Sequence, residues 1–519
     1  MLCFDLAAQQ GHAGAQYVLG EALWFGRAGL ERNERLGVEW LQRAAEQDHL
    51  QAQIRLGTCY QLGGADGVVP ADPALALHWL RKAAVQGHPA AQYWVGSQYA
   101  QERQQSVAKA KLAFHFFAKA AEQGHTASQF EVGRAFEDGC GVAEGSDPLR
   151  AAEWYRLAVD KAHVEAMFRL GRLQINQLRA GALPAKENDT ELVEAVEMLM
   201  KAAQLDHVEA QLMLALILAQ DHQHEAAAEW LVKAAAKGNV DAQYHLARAM
   251  FLGSGMAQNE RLAVGWLMRA AGAGHAKAQF ELGAALVHGR HGQAADPRTG
   301  VDWVRKAAEQ GQACAQCELA EALWDGRGVE RDDWQVVYWY QKAAAAAGND
   351  DREFAAAAQF GLGRAYEQGR GVKPDEHQAL QHYERAAYPD QGNHAGAQFR
   401  LGVAHFSGWG HLVEKNAALA ANWFSMAAEQ GHADAQLHLG VMYANGRGVP
   451  KDPTVAALWL TKAANQGVAR AQFAVGVMHL EGRGVPENVD LGIYWLEQAA
   501  GQGHDGARAR LNTVHHPTY

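Results

Sequence analysis

Residues 433–467 read "ADAQLHLGVMYANGRGVPKDPTVAALWLTKAANQG". In "ADAQLHLGVMYANG" the apolar and small residues recur at helical spacing, which predicts a first helix. "GRGVPKDP" breaks that pattern with two glycines and two prolines. It predicts a turn that ends one helix and starts another, with Asp452 near the new N-cap. "TVAALWLTKAANQG" predicts a second helix closed by Gly467, since glycine readily takes the left-handed backbone a helix end needs. The Ala463–Ala464 pair lets neighbouring helices approach closely.

The same unit recurs along the chain. Aligned on "A-Q-x-x-L-G", copies fall at Gln16, Gln53, Gln92, Gln129, Met167, Gln211, Gln243, Gln279, Gln316, Gln359, Gln398, Gln436 and Gln472, with a partial copy at Arg508. Spacing is mostly 36 to 39 residues, with outliers of 44, 32 and 43. Such a period predicts a solenoid, because one helix pair cannot bury its apolar face without neighbours. The expected architecture is all-α, one continuous array of antiparallel helix pairs over residues 1–519. Its first copy is truncated at 1–12, repeats 164–239 are irregular, and a partial capping copy covers 505–519. A tryptophan ladder (Trp40, Trp79, Trp154, Trp230, Trp266, Trp303, Trp339, Trp423, Trp459, Trp495) occupies one slot of the second helix, with Phe116 and Met198 as substitutes. These aromatics are expected to anchor each layer. Trp24, Trp94, Trp324, Trp334 and Trp409 lie off the ladder.

The composition is that of an ordinary soluble chain, with net charge −11 and a mean hydropathy of −0.29. No long basic block is present, which argues against a nucleic-acid surface. No 18-residue apolar run suggests a membrane span, and "MLCFDLAAQQGH" lacks the layout of a signal peptide. The expected compartment is the cytoplasm, or the periplasm if an export signal precedes this start. Five scattered cysteines do not make a disulfide framework.

The pattern "AQxxLGxxYxxGxGVxxD…A…WxxKAAxQGH", nearly complete at 435–467, 471–504 and 315–342, resembles the Sel1-like repeat family, relatives of the tetratricopeptide repeats. The resemblance spans essentially the whole chain. It implies a right-handed superhelix of helix pairs that binds proteins or scaffolds complexes, with the first helices lining the concave face. Secreted relatives with paired cysteines staple each helix pair; these repeats lack such pairs.

Four residues before each glutamine slot stand His12, His49, His88, His125, His163, His207, His275, His394, His432 and His504, replaced elsewhere by Asn239, Gln312, Ala355 and Val468. The slot lies between two helices, usually after glycine, sometimes after Asp48 or Asp206. There a polar ring can cap orphan backbone groups, and a cation suits a helix C-terminus. Stacked helices are roughly 8–10 Å apart, too far for one zinc ion with bonds of roughly 2 Å. Charging of these rings below about pH 6.5 is expected to have a modest effect, because the slot tolerates valine and alanine. The turns "GRGVERD", "GRGVKPD", "GRGVPKD" and "GRGVPEN" do not match a phosphate-binding loop. "CAQC" at 314–317 is a lone CxxC whose Cys317 takes a core slot, and His222 and His224 of "DHQHE" should diverge on a helix. No catalytic constellation, cofactor site or metal site emerges.

Function is therefore expected on the first helices. Just after the glutamine, past one packing slot, comes a freely varying position that holds Arg55, Trp94, Glu131, Arg169, His245, Glu281, Glu318, Arg400 and His438. One turn later Arg134, Arg172, Arg248 and Arg364 form a second variable slot. Arginine and tryptophan dominate binding hot spots. The reading is a bacterial-style scaffold or adaptor, monomeric or weakly dimeric, with protein or peptide partners. The alternatives are an immunity-type inhibitor of a toxin and a hydrolase of cell-wall or β-lactam compounds. Two inserts, "RAGALPAKENDTE" and "AAAAAGNDDREF", predict a kink, a hinge or a partner contact.

Overall fold

The computed structural model describes residues 2–64, 69–102, 106–143, 145–179, 188–345, 352–388 and 392–515. Most of the first insert, 180–187, and half of the second, 346–351, lie outside these residues. The described residues form 28 helices and no strand, with one isolated bridge between Trp409 and Val413. Two compact units are distinguished, Met1–Ala242 and Gln243–Tyr519. Within each, helices pack in chain order: the first helix of a repeat on its own second helix, and the second on the first helix of the next repeat.

Local chemistry sets the boundaries. Second helices start at Asn33, Asp72, Asp147, Asn259, Asp296, Asp375, Asn416, Asp452 and Asn488, whose side chains accept from backbone N–H groups of the first turn. First helices end at Gly26, Gly139, Gly289, Gly326, Gly446 and Gly482 in the left-handed region. Gly467 takes the same region at φ 87°, and Asp48 and Asp206 adopt it as non-glycines.

The core differs from the sequence expectation by one residue. Of the tryptophan ladder only Trp79 is fully buried; the others are half-buried. The anchor is the following residue: Leu41, Phe117, Tyr155, Leu199, Leu267, Val304, Tyr383, Phe424, Leu460 and Leu496 are each at most 4% exposed. These side chains press on the glycine of "L-G" in the first helix. A Cβ on Gly133 would stand 2.7 Å from the Tyr155 ring, and one on Gly440 would stand 2.7 Å from Leu460 Cγ. The tryptophans instead pack over the preceding repeat, Trp459 against the Phe424 cluster and Trp495 against the Leu460 cluster. Lys462 and Lys306 lie over the exposed faces of Trp459 and Trp303, 4.1 and 4.0 Å from the ring centroids.

At the joint between repeats the histidine acts at the opposite helix end from the cationic reading. In nine copies Nδ1 accepts from the backbone N–H three residues on, as in His49 to Ala52 at 3.2 Å and His275 to Ala278 at 3.0 Å. The ring therefore caps the N-terminus of the following helix, and only the neutral form with a bare Nδ1 can do so. Eight of the nine rings also lie against the aromatic residue after the preceding repeat's glutamine slot (Met167 in one copy), such as Phe399 against His432 and Tyr244 against His275, with centroids 4.6 and 4.5 Å apart. Burial lowers the pKa of His125, His163 and His432, and takes His394 down to about 4.

The glutamine of "A-Q" builds a second device at this joint. Gln436 is buried and donates to the Ala428 carbonyl at 3.0 Å, while its own carbonyl accepts from Gln466 of the next "N-Q-G" at 2.8 Å. Equivalent rungs join Gln16 to Gln47, Gln53 to Gln86, Gln92 to Gln123, Gln279 to Gln310, Gln398 to Gln430 and Gln472 to Gln502. Where the second glutamine is Lys161 or Lys237, the carbonyl of Gln129 or Gln211 is buried without a partner. Where the first slot is Met167, the second is Leu205.

Candidate binding groove

The variable slots of the first helices lie one repeat apart, and several of their side chains reach a charged group of the adjoining copy. Arg55 binds Glu21 at 2.7 Å. Arg172 and Arg169 converge on Glu137 at 2.5 and 3.4 Å, and Tyr155 donates its hydroxyl to the same carboxylate at 2.6 Å. Burial pushes the Glu137 pKa up, but the Tyr155 and Arg172 hydrogen bonds outweigh it and hold the carboxyl below its ordinary value. Arg169 also binds Glu165, whose pKa is drawn down to about 2, chiefly by its hydrogen bond from His207. Glu131 pairs with Arg134 on its own helix.

In the unit from Gln243 onward the pattern repeats with other residues. Arg364 reaches Glu321 at 3.3 Å and covers Trp324, 4.4 Å from the ring centroid. Arg400 binds Glu367 at 2.6 Å, which also accepts the Tyr383 hydroxyl at 2.5 Å. Glu281 accepts from Tyr244 at 2.7 Å with Arg248 at 4.0 Å, and Glu318 meets His288 at 3.1 Å. His245 stands edge-on to Tyr244, and His438 stacks on Phe424 with a pKa lowered by burial. Trp94 is half-buried against the Leu80 and Val95 cluster.

Most candidate side chains thus spend part of their bonding capacity on a neighbouring repeat. Arg248, with 52% of its side chain exposed, is the most open charge among them. Sequence reasoning missed Glu21, Glu137 and Glu367 as partners. Their signal is visible only when adjacent copies are read side by side: a carboxylate one or four residues after "L-G" faces an arginine in the next copy. The off-ladder aromatics also resolve. Trp324 is a buried platform for Arg364 and Arg370, Trp409 packs near Tyr383, and Trp334 is exposed beside Tyr338.

Cys317 is buried with its thiol 3.3 Å from the Phe354 carbonyl, and burial pushes its pKa up to about 12. It is held as the unreactive thiol. Among the described residues, no group of three or more His, Cys, Asp or Glu is placed to share a metal ion, and no helix is long and apolar enough to cross a membrane.

A family model described as Sel1 repeat matches thirteen segments: 13–49, 50–88, 89–125, 126–163, 164–207, 208–239, 240–275, 276–312, 315–347, 356–388, 395–432, 433–468 and 469–504. Among solved structures, a protective antigen present in uropathogenic Escherichia coli strains is 27% identical, covering 99% of this chain and 90% of that one, with a TM-score of 0.36. A Sel1 repeat protein from Oxalobacter formigenes is 26% identical over 71% of this chain and 94% of its own, with a TM-score of 0.37. An immunity protein from Pseudomonas aeruginosa is 22% identical over 45% and 83%, with a TM-score of 0.28. No curated protein matches the chain.

Proposed function

Since the chain belongs to the Sel1-repeat family, whose members generally mediate protein–protein interaction, we propose that it is a scaffold or adaptor that binds a partner protein or peptide along its first helices. The supporting observation is the row of inter-repeat pairs. Arg172–Glu137, Arg364–Glu321 and Arg400–Glu367 hold guanidinium groups in set positions while leaving each half-exposed. A partner would meet charges whose rotamer freedom is already spent, which lowers the entropy lost on binding. Arg55, Arg134, Arg169, Trp94, His245 and His438 belong to the same row.

The test uses the full chain as bait in native cells, alongside the Trp94→Ala/Arg169→Ala and Arg248→Ala variants. Mass spectrometry should identify a partner whose recovery falls at least tenfold in one of the variants, with melting unchanged. Equal recovery by wild type and both variants would sink the groove reading. A captured toxin enzyme that loses activity on binding would select the inhibitor alternative.

A further inference from the structure

Five repeats share a contact that the repeat 208–239 lacks. In the turns of five repeats, the second glycine of the G-x-G motif lies directly on the first residues of the preceding repeat's second helix. A Cβ on Gly141, Gly328, Gly371, Gly448 or Gly484 would overlap the carbonyl of Ala110, Pro297, Asp333, Ala417 or Pro453. The next residue, Val142, Val329, Val372, Val449 or Val485, then packs into the core beneath. Each contacted residue stands six positions before the tryptophan slot.

In the repeat 208–239 that turn is missing. Only Asp221–Gln223 joins the helices Val208–Gln220 and His224–Ala236. The preceding second helix, Asn188–Gln204, carries Met198 in the tryptophan slot, so the position a turn would cover is Leu192. Leu192 is 44% exposed and Val193 58%. Around them opens a groove of about 710 Å³ walled by Ile175, Leu178, Val196, Met200, Ile217 and Leu218. Two exposed carboxylates, Glu197 and Asp221, also line it, while Arg179 on its edge is bonded to Gln220.

We propose that this groove is a docking socket for a partner's glycine-flanked turn, with an aliphatic side chain as plug and an adjacent Lys or Arg for the acidic rim. The chemistry of the occupant follows from the chain's own solution at equivalent positions. Four of its turns read Gly-Arg-Gly-Val, and Arg370 of one binds Asp333, the contacted residue of the preceding helix, with its Nε at 2.9 Å. The socket is lined by none of the variable-slot residues and does not depend on the reading of those residues.

The probe is a labelled cyclic peptide carrying residues 444–453, "ANGRGVPKDP", titrated into the full chain by fluorescence anisotropy. Saturable binding is expected. It should weaken at least tenfold with Val449→Asp in the peptide, or with Leu192→Asp or Val193→Asp in the protein, and a few-fold with Glu197→Lys. Trp94→Ala/Arg169→Ala should leave it unchanged. Because both leucine and valine are exposed, these variants should melt like wild type. Replacing Asp221–Gln223 by the segment "GRGVPKD" provides a second measurement, since the graft should fill the socket in cis, raise the melting temperature and abolish peptide binding. The proposal is overturned by no saturable binding at millimolar peptide, by equal binding to the Val193→Asp protein, or by a graft that binds the peptide like wild type. A homodimer that Val193→Asp dissolves would also overturn it, by making a second copy the occupant.

Discussion

The repeats 395–504 and the repeats 164–239 are the same design under different demands. In the first group every glutamine bridge is complete: Gln398–Gln430, Gln436–Gln466 and Gln472–Gln502 join successive copies, and the G-x-G-V turns of 433–468 and 469–504 cover the helix behind them. In the second group the bridge is Met167 and Leu205, or is broken at Gln211, and the turn of 208–239 is absent. Both groups expose single apolar side chains, Leu419, Leu458 and Leu491 in the first and Leu192, Val193 and Met200 in the second, but in the second these three share the walls of one groove. Because a repeat array need not unfold as one unit, the tests below read local opening by hydrogen exchange.

The largest contrast should come from truncating apolar side chains. Leu460→Ala removes a fully buried anchor and should cost about 3 kcal/mol of local stability, while Val193→Ala should change it by less than about 0.5 kcal/mol. Equal costs would break the comparison. Next come the bridges. Gln436→Ala strands the Ala428 carbonyl and leaves Gln466 only its bond to the Gly431 carbonyl, and should cost about 2 kcal/mol. Lys237→Gln supplies the donor that Gln211 lacks and should raise the protection of residues 208–239 by about 1 kcal/mol, less what is lost with the Lys237–Asp206 ion pair.

Acid provides the third test. His394 has its pKa lowered by burial from 6.5 to about 4, so on acidification the unfolded chain takes up the proton first. Its stabilising contribution is complete above pH 6.5 and is lost as pH falls towards 4, with His125, His163 and His432 acting in the same direction. The expected decline in melting temperature is gradual and largely below pH 6, in keeping with a modest effect near neutrality. His394→Asn keeps a cap without a titrating group, as Asn239 already does by accepting from Ala242 at 2.8 Å. It should flatten the pH dependence by up to about 1.4 kcal/mol per pH unit within that window. An unchanged slope would remove His394 from the account. The smallest effect is expected from Val468→His, which adds the missing cap and should gain about 0.5 kcal/mol.

Helix pairs, turn positions and aspartate or asparagine caps were legible in single copies, because each depends on residues within four positions of one another. The tryptophan slot misled by one place. Helical rotation turns the next residue toward the bare backbone of Gly133 or Gly440, so Tyr155 and Leu460 become the anchors. The histidine slot was legible as a joint but not as an N-terminal cap, since the same ring lies beside two helix ends and only its orientation chooses between them. The variable stripe was found, yet its arginines were read singly; Glu137 and Arg172 are 35 residues apart and meet only when copies stack.

What the sequence determined by itself is everything the period dictates: an all-helical array, its helix boundaries, and the places where the unit is interrupted. Only the tertiary structure decided which polar groups satisfy one another and which apolar ones are left uncovered. The reason is physical. Backbone propensity and capping act over a single helical turn, whereas the glutamine bridges, the arginine–carboxylate pairs and the socket over Leu192 each depend on what the adjacent repeat places a few ångströms away.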